Sequence, residues 1–447
     1  MTGDTSGGSS GSMQGRELHF VAIGGAGMSG LALVCHRLGA TVTGSDRAES
    51  SYIARLRAAG LEPRIGHDAG ALPAGAEVVV STAVPADNPE LSLARERGQR
   101  VLHRGELLAE LCSLRRLVAV AGTHGKTTTT GMIVHALRAA GADPAFFIGG
   151  DLPGAGPGDE PANAGWGGGA WVIAEADESD ASFLELRPEV AVVTNVELDH
   201  HSRWSSRAEL LDAFRRFAGP ATGVALLADP GLDPIAAPER ALRFDAARPG
   251  PELELAVPGR HNLLNARAAL AALELAGFDL DPAARALESF PGMARRLEHK
   301  GASDGALIYD DYAHHPTEVR ATLEALRELG PRRLIAVFQP HLYSRTKALA
   351  EAFGAALALA DVIGVLDVYP AREQPVGPLA GVSGLAVARA AADRARGRPV
   401  WWLRDAETAE RALAPRLRSG DLVVTIGAGD VYRLADALAG GPGEAAG

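Results

Sequence analysis

The chain has 447 residues and a formal net charge of −11, and hydrophobic residues make up 47% of it. That length is enough for about three domains with buried cores, and the composition is that of an ordinary globular protein. An acidic chain without a basic run longer than an arginine pair argues against nucleic acid as a partner. No apolar run reaches the roughly 18–20 residues that span a bilayer, which argues against membrane insertion.

The N-terminal stretch 1–15 is rich in Gly and Ser and lacks the apolar segment of a secretion signal. We expect a flexible tail there and a cytoplasmic protein. The two cysteines, Cys35 and Cys112, lie in apolar, helix-like segments. They exclude a disulfide framework and a cysteine metal site, so we expect buried, unreactive thiols.

Apolar runs of strand length alternate with amphipathic segments of helix length, as in α/β proteins with mostly parallel sheets. Three such series predict three domains, over 16–116, 117–293 and 294–447. The first series contains strands 18–24, 41–46 and 77–84 and a helix over 29–39. The second contains strand 117–122, the strand-bearing segments 170–180 and 190–200, a loop over 153–169 and a closing helix over 262–277. The third contains strands 306–312, 333–339, 362–368 and 421–427.

The stretch 118-VAVAGTHGKTTTTG-131 has the order strand, glycine turn, Lys-Thr and helix that a phosphate-binding loop requires. Gly122 and Gly125 would let the backbone approach the phosphates at the start of a helix. Lys126 would supply a positive charge, and the hydroxyl of Thr127 can bind Mg²⁺. The first glycine of the usual G-x-x-x-x-G-K-[ST] spacing is absent, so a threonine-rich helix start remains the alternative.

Acidic residues follow the next two apolar runs. The first run ends on Glu175, and three more carboxylates follow it: Asp177, Glu178 and Asp180. The next run is followed by Glu197, Asp199 and His200. Since parallel strands end at the same edge of a sheet, these groups are expected beside the loop, as a Mg-ATP site with a second cation near His200. A solvated acidic turn and a structural histidine are the alternatives.

The first series has a glycine turn of its own, 24-GGAGMSG-30, with the spacing Gly25-x-Gly27-x-x-Gly30. Asp46 ends the next strand about 20 residues on, as in dinucleotide-binding folds. The pattern requires only a diphosphate on a helix N-terminus, so NAD and a UDP-sugar both fit it. A glycine turn that packs a helix against a strand is the alternative without a ligand.

Together these motifs resemble the Mur ligases, cytoplasmic ATP-dependent enzymes that form amides in peptidoglycan synthesis. The loop of that family reads G-[ST]-x-G-K-[ST], without the first Walker glycine. The similarity rests on 23-IGGAGMSG-30, 122-GTHGKTTTT-130, 174-AEADESDASFL-184, 194-TNVELDH-200, 258-PGRHNLLNARAA-269, 310-DDYAHHPTEV-319 and 338-FQPHLYSRT-346. It implies an α/β fold with three domains: a Rossmann-like UDP-binding domain, a central P-loop-type ATPase domain and a Rossmann-like C-terminal domain.

The resemblance also implies roles for individual residues. The implied ATP-binding residues are Gly122, Thr123, Gly125, Lys126, Thr127, Thr128, His261, Asn262, Asn265, Arg295 and Arg296. The implied Mg²⁺ ligands are Thr127, Glu175 and His200. The UDP moiety would contact Gly25, Gly27, Ser29, Asp46 and Ser81. The amino-acid pocket would be formed by Tyr312, His314, His341 and Arg345, with Leu342 standing where some members carry Arg. The implied catalytic residues are Lys126, His200, Arg296 and His314.

The stretches are most similar to family members that join L-alanine to UDP-N-acetylmuramate, with ATP and Mg²⁺ as cofactors and a monomer or weak homodimer as the expected state. The reaction would proceed through an acyl phosphate, and His200 or His314 could accept the proton of the amine. A ligase that recycles murein tripeptide is the closest alternative; it tends to carry Tyr where this chain has Ser179. An NAD-dependent oxidoreductase and a P-loop kinase or regulatory ATPase are alternatives from other classes, and neither accounts for all the motifs.

Overall fold

The computed structural model describes residues 13–198, 203–248, 250–371 and 373–440. The described residues form two compact units. Within the described ranges, one consists of residues up to 254 with 264–290, and the other of 255–263 with residues from 291 onward. Among the described residues, no helix is long and apolar enough to cross a membrane.

Strands and helices alternate through both units. Within the described residues the strands are β1 (Glu17–Val21), β2 (Thr41–Asp46), β3 (Arg64–Ile65), β4 (Glu77–Val80), β5 (Val101–His103), β6 (Arg116–Ala121), β7 (Ala145–Leu152), β8 (Ala162–Gly165), β9 (Trp171–Glu175), β10 (Val190–Val193), β11 (Gly223–Leu227), β12 (Ala241–Phe244), β13 (Glu298–Ser303), β14 (Ala306–Asp311), β15 (Arg333–Phe338), β16 (Val362–Val365), β17 (Val400–Trp402) and β18 (Asp421–Ile426). The α-helices there are α1 (Ala26–Arg37), α2 (Ser51–Ala58), α3 (Pro89–Glu96), α4 (Arg104–Cys112), α5 (Lys126–Ala139), α6 (Arg207–Ala218), α7 (Arg260–Leu275), α8 (Leu280–Glu288), α9 (Pro316–Glu328), α10 (Tyr343–Leu357), α11 (Gly384–Ala392), α12 (Ala406–Leu413) and α13 (Tyr432–Leu438).

The first sheet has the strand order β3-β2-β1-β4-β5, and its neighbouring strands are parallel. All of these strands therefore end at one edge. The chain order changes direction between β1 and β4, which is where open sheets of this kind bind ligands.

The second sheet has the order β12-β11-β10-β6-β9-β7-β8. Its central strand β6 lies between β10 and β9 and is parallel to both. The carboxyl ends of these three neighbours therefore meet, as the sequence predicted. Strands β6 and β10 are buried almost throughout, as strands covered on both faces must be.

The third sheet, in the second unit, has the order β13-β14-β18-β15-β16-β17. Only its edge strand β13 is antiparallel to its neighbour among the described strands. The predicted class, α/β with mostly parallel sheets, is thus what the structure shows.

Two sequence-based expectations are wrong in detail. The predicted loop 153–169 contains strand β8, which pairs antiparallel with β7. The sequence of β8, Ala-Asn-Ala-Gly, has little intrinsic strand preference, and the strand is formed by pairing with its neighbour. The predicted tail over 1–15 is too long, because Met13 is only 3% exposed and packs in the core of the first unit.

Both cysteines are buried, as expected. Cys35 lies in α1 and Cys112 at the end of α4. Burial raises the pKa of Cys35 to about 12 and that of Cys112 as well. Neither thiol is therefore ionised at neutral pH.

Candidate functional site

The phosphate loop connects the end of β6 to the start of α5. Gly122 and Gly125 both have positive φ, +137° and +83°, and Gly125 is the N-cap of the helix. A Cβ on Gly122 would lie 2.0 Å from Oγ1 of Thr194, and one on Gly125 would lie 2.3 Å from Oδ1 of Asn265. Both positions therefore require glycine. The first backbone N–H groups of α5 point out of the helix start, where an anion can accept from them.

The segment after β10 holds this loop from one side. Oγ1 of Thr194 donates to the carbonyl of His124 (2.6 Å). The side-chain amide of Asn195 accepts from the N–H of His124 and donates to its carbonyl. Oγ1 of Thr123 donates to the carbonyl of Glu197 and accepts from its N–H. Nε2 of His124 lies 3.5 Å from the Glu197 carboxylate. The loop is thus fixed by hydrogen bonds to its neighbouring strand end.

Lys126 is turned back over the loop. Its Nζ donates to the carbonyls of Gly122 (2.6 Å) and Thr123 (3.3 Å) and to Oε2 of Glu178 (2.8 Å). Burial lowers the pKa of Lys126, but the carboxylates around it, led by Glu178, raise it above its usual value. Burial raises the pKa of Glu178 to about 7, against the attraction of Lys126 and with help from Asp177. The lysine is therefore a fully charged cation with a counter-ion that is easily protonated.

Thr127 and Glu175 meet at the start of α5. Oγ1 of Thr127 lies 2.9 and 3.1 Å from the two carboxylate oxygens of Glu175, and the N–H of Gly149 donates to the same carboxylate. A hydroxyl and a carboxylate in one place, beside a phosphate loop, are the hard oxygen ligands that suit Mg²⁺. The predicted partners are thus brought together. His200 and Asp199 lie outside the described residues.

The other acidic residues after β9 have different partners. Arg104, at the start of α4, donates to Asp177 (2.8 Å) and Asp180 (3.0 Å). Burial would raise the pKa of Asp177, but Lys126 and Arg104 hold it at about 2. Glu175 is therefore the carboxylate of this group that faces Thr127, whereas Asp177 and Asp180 face Arg104.

The remaining predicted ATP contacts fall in both units. In the first unit, Thr128 is buried in the first turn of α5, and Asn265 lies beside Gly125 and Thr129, 3.4 Å from the Thr129 hydroxyl. In the second unit, the Asn262 side chain donates to the carbonyl of Pro258. His261 is buried there, and burial lowers its pKa to about 4.

The glycine turn of the first sheet differs from its predicted form, because α1 already begins at Ala26. Ser29 is consequently buried inside the helix, and its hydroxyl donates to the carbonyl of Ala26. Asp46 accepts from the N–H of Gly24 at 2.8 Å, so the acidic residue that ends β2 lies beside the turn. Ser81 follows the end of β4, and its hydroxyl accepts from Ala83 N–H at 3.4 Å.

Two glycines of that turn allow close packing. A Cβ on Gly27 would lie 3.3 Å from a guanidinium nitrogen of Arg104. One on Gly30 would lie 2.8 Å from Cβ of Ala164 in β8. The side-chain amide of Asn163, also in β8, donates to the carbonyl of Ala26 at 2.5 Å. The strand that the sequence did not predict thus supports the helix that starts at this turn.

The adjacent arginines of the second unit, Arg295 and Arg296, differ in how many hydrogen bonds hold their side chains. Arg295 has a φ of +59° and donates to Asp310 (3.0 Å) and to the carbonyl of Gly427 (2.7 Å). Arg296 lies 3.9 Å from Glu318 and over the ring of Tyr312. Arg295 is therefore committed to its own domain, and Arg296 is the better candidate for a phosphate.

His314 lies in a cluster of aromatic rings. Its Nδ1 is 3.1 Å from the carbonyl of Tyr312, so Nδ1 carries the proton and Nε2 the lone pair. Burial lowers the pKa of His314 to about 4; Glu318 opposes that effect, and Arg345 and Arg296 add to it. The imidazole is therefore neutral at pH 7, the form that a base requires.

Further rings continue the cluster. The ring centroid of His341 lies 6.2 Å from that of His314, and the His341 ring stacks on Tyr369 with the centroids 5.9 Å apart. Arg345 stands in the first turn of α10, and Leu342, the N-cap of that helix, has a φ of +68°. A non-glycine residue with such a backbone is a local strain that is common at functional sites. The predicted pocket residues are thus close together in the third sheet's domain.

Sequence reasoning missed four residues that shape these sites: Arg104, Thr194, Asn195 and Glu318. Glu318 had a local signal, since it is the Glu of a capping box at the start of α9. The other three act across many residues of chain, and their partners were not visible from the sequence.

Comparison with known proteins defines the class. The chain matches the models of the Mur ligase family, catalytic domain, over residues 17–116, of the Mur ligase middle domain over 120–230, and of the Mur ligase, glutamate ligase domain, over 295–429. These matches confirm the three-part organisation, while the predicted boundaries at 116 and 293 stay predictions. The chain belongs to the Mur ligase family.

Particular relatives narrow the comparison. The chain is 45% identical to the UDP-N-acetylmuramate–L-alanine ligase of Mycolicibacterium vanbaalenii, over 94% of this chain and 95% of that protein. Its structure is similar to that of the UDP-N-acetylmuramate-alanine ligase of Thermotoga maritima, with 28% identity and a TM-score of 0.80. The match covers 94% of this chain and 98% of that one. The structure of the murein peptide ligase of Psychrobacter arcticus is also similar, with 25% identity and a TM-score of 0.69. That match covers 96% of this chain and 100% of the other.

Proposed function

We propose that this chain is an ATP-dependent ligase that joins L-alanine to the carboxylate of UDP-N-acetylmuramate in peptidoglycan precursor synthesis. The observation that carries the proposal is the loop 122–127, where Lys126 and the Thr127–Glu175 pair stand at one sheet edge. The 45% identity to a relative of that name favours alanine as the second substrate. The lower TM-score of the murein peptide ligase makes the tripeptide the second choice.

The first half-reaction makes the carboxylate reactive. Its oxygen attacks the γ-phosphorus of ATP, the bond to the β-phosphate oxygen breaks, and an acyl phosphate and ADP form. This chemistry needs alignment and neutralisation of charge more than a covalent partner. Lys126 and Arg296 are the proposed cations, and the N–H groups at the start of α5 are the proposed phosphate donors.

To contact ATP during phosphoryl transfer, Lys126 has to exchange its carboxylate partner for a phosphate oxygen. Its bond to Glu178 must yield to a phosphate oxygen, which leaves the buried carboxylate without its closest cation. With a pKa already near 7, Glu178 can take up a proton at little cost. Protonation of Glu178 would therefore lower the negative charge beside the loop when a polyanion binds.

One Mg²⁺ ion is proposed at Thr127 and Glu175, and a second near His200, as the sequence predicts. Bound there, Mg²⁺ would neutralise charge on the phosphate oxygens. The hydrogen bond between the Thr127 hydroxyl and the Glu175 carboxylate fixes both oxygens before the ion arrives.

In the second half-reaction the alanine amine attacks the acyl carbon, and phosphate leaves. The amine must lose a proton, and His314 is the proposed acceptor through Nε2, because Nδ1 is fixed on the Tyr312 carbonyl. Its pKa of about 4 makes it a weak base alone; the anionic groups of bound substrates would raise that pKa. Arg345 is proposed for the alanine carboxylate.

The test is phosphate release from ATP and Mg²⁺ with UDP-N-acetylmuramate, in the presence and absence of L-alanine. We expect release that depends on both substrates, and an amide product by mass spectrometry. Turnover with L-alanyl-γ-D-glutamyl-diaminopimelate but not with alanine would move the assignment to tripeptide recycling. Release indifferent to either acceptor would indicate an ATPase and overturn the proposal.

Cellular location and assembly follow from the same proposal. A ligase that uses ATP and a UDP-linked precursor is placed in the cytoplasm, where we propose that it acts. The predicted state, a monomer or weak homodimer, is checked by light scattering over a range of protein concentrations.

A further inference from the structure

The first sheet contains a buried polar network that the proposed reaction does not use. Glu90 of α3 is fully buried, and its carboxylate accepts from the hydroxyl of Ser45 (2.6 Å) and from the N–H of Asp68 (3.0 Å). Nε2 of His19, also buried, lies 3.5 Å from it. Oγ of Ser45 is in turn 2.8 Å from Nδ1 of His67.

The carboxylate fixes the direction of every hydrogen bond in this network. Burial alone would raise the pKa of Glu90, but His19, Ser45 and the N–H of Asp68 together lower it below its usual value. An ionised carboxylate only accepts hydrogen bonds, so the proton of the Ser45 hydroxyl points at Glu90. The oxygen of Ser45 is then left to accept, and Nδ1 of His67 must donate to it.

This assignment sets the tautomer of His67. In the neutral imidazole, a proton on Nδ1 leaves a lone pair on Nε2. The side chain of His67 is 23% exposed, whereas Glu90 is fully buried. In the neutral ring, the network therefore leaves Nε2 of His67 as the hydrogen-bond acceptor of a partly exposed side chain.

The position of His67 is at the binding edge. It follows β3 by two residues, and the N–H of Gly66 donates to the carbonyl of Asp46 at 2.7 Å. In folds of this type the diphosphate lies at the first glycine turn and the ribose at the acidic residue that ends β2. Since β2 lies between β1 and β3, a nucleotide bound in this way has its base on the β3 side.

We propose that His67 recognises the uracil base of the substrate by accepting a hydrogen bond from its N3–H at Nε2. The inference rests on the proposed function, in which the first domain binds a UDP-linked substrate. Cytosine has an acceptor at N3 in place of the N–H, so it meets the lone pair of His67 with a lone pair of its own. His67 is thus a specificity-determining residue, and Ser45 and Glu90 are positioning residues that act through it.

The test is calorimetric titration of the full chain with UDP and with CDP. Wild type should bind UDP at least about tenfold more tightly than CDP, since a site built around one hydrogen bond rejects the base that cannot make it. His67→Leu should reduce this ratio to less than about threefold, mainly by weakening UDP. His67→Gln, which retains an acceptor, should keep part of the ratio. The matched control, His36→Leu on the exposed face of α1, should leave it unchanged.

Ser45→Ala provides a second and less direct variant. It removes the hydroxyl that holds the proton of His67 on Nδ1, so either tautomer can form. The ratio of UDP to CDP affinity should therefore fall while UDP still binds. Thermal unfolding checks that each variant is folded. If wild type binds UDP but His67→Leu keeps the ratio, or loses both ligands equally, the role of His67 is wrong and the proposed function stands. If wild type binds neither, both are overturned.

Discussion

The first two sheets each carry a strand, a glycine turn and a helix, but the two turns are built differently. The turn after β6 has glycines with positive φ, a lysine at the helix start and several hydrogen bonds from the neighbouring strand. The turn after β1 passes into α1 without a lysine, and Asp46 accepts from its backbone. We therefore propose that the turn after β6 neutralises charge during the reaction, whereas the turn after β1 only holds a diphosphate.

Removing the cation should have the largest effect. Lys126→Met should lower kcat by about 10³-fold or more, since phosphoryl transfer depends on such charges. The measurement is ADP release at saturating substrates. Lys347→Met, an exposed lysine of α10, is the matched control and should retain activity. A Lys126→Met enzyme within tenfold of wild type would contradict the comparison.

A methyl group in the phosphate loop should be the next most harmful change. Gly125→Ala places a side chain at a φ of +83° and 2.3 Å from Asn265, and the backbone alone costs about 1–2 kcal/mol. We expect kcat/KM for ATP to fall roughly 100-fold with a lower Tm, because the N–H groups of α5 move. Unchanged ATP kinetics would show that the loop tolerates another backbone conformation.

The proposed ion site predicts a weaker, concentration-dependent defect. Glu175→Gln keeps the shape of the side chain and removes its charge, so half-maximal activity should require about tenfold more Mg²⁺. The measurement is a Mg²⁺ titration of ADP release. Glu189→Gln, at a surface pair with Arg116, is the control. An unaltered Mg²⁺ requirement would exclude Glu175 as a ligand.

A glycine-to-alanine change in the turn after β1 should affect binding of the UDP-linked substrate rather than of ATP. Gly27→Ala has an ordinary backbone and meets only the flexible end of Arg104, 3.3 Å away. We expect KM for UDP-N-acetylmuramate to rise about tenfold, as the methyl group hinders the diphosphate, with KM for ATP unchanged. An equal change in both KM values would mean that the two turns do not serve separate nucleotides.

The buried Glu178 predicts a small effect on stability. Between its usual pKa of 4.5 and about 7, the folded chain holds a proton that the unfolded chain has lost, so stability falls as pH rises through this window. Glu178→Gln should remove that contribution, which is roughly 1–3 kcal/mol. Urea unfolding of both proteins between about pH 5 and pH 7 measures the slopes. Parallel slopes would show that Glu178 is ionised throughout.

The sequence predicted the parts of the site that depend on local pattern. Gly122, Gly125 and Lys126 lie where expected, because a strand, a glycine turn and a helix start leave few alternatives for their backbone. Thr127 and Glu175 meet because parallel strands end at one edge.

Contacts between distant segments were not predictable in the same way. The pairing of Arg104 with Asp177 joins residues 73 apart, and nothing in the local sequence of α4 marks it. Strand β8 has no β-branched or aromatic residue and exists through its pairing with β7. The unequal roles of Arg295 and Arg296 depend on which guanidinium reaches Asp310, which only the folded chain decides.

We propose that the two glycine turns bind two different nucleotides for one reaction. Calorimetric titration of wild type and Lys126→Met, with ADP and with UDP in the presence of saturating ADP, tests it most directly. We expect wild type to bind both ligands together, and Lys126→Met to lose most of its ADP affinity and keep its UDP affinity. Competition between UDP and ADP in wild type, or loss of both ligands in the variant, would contradict it.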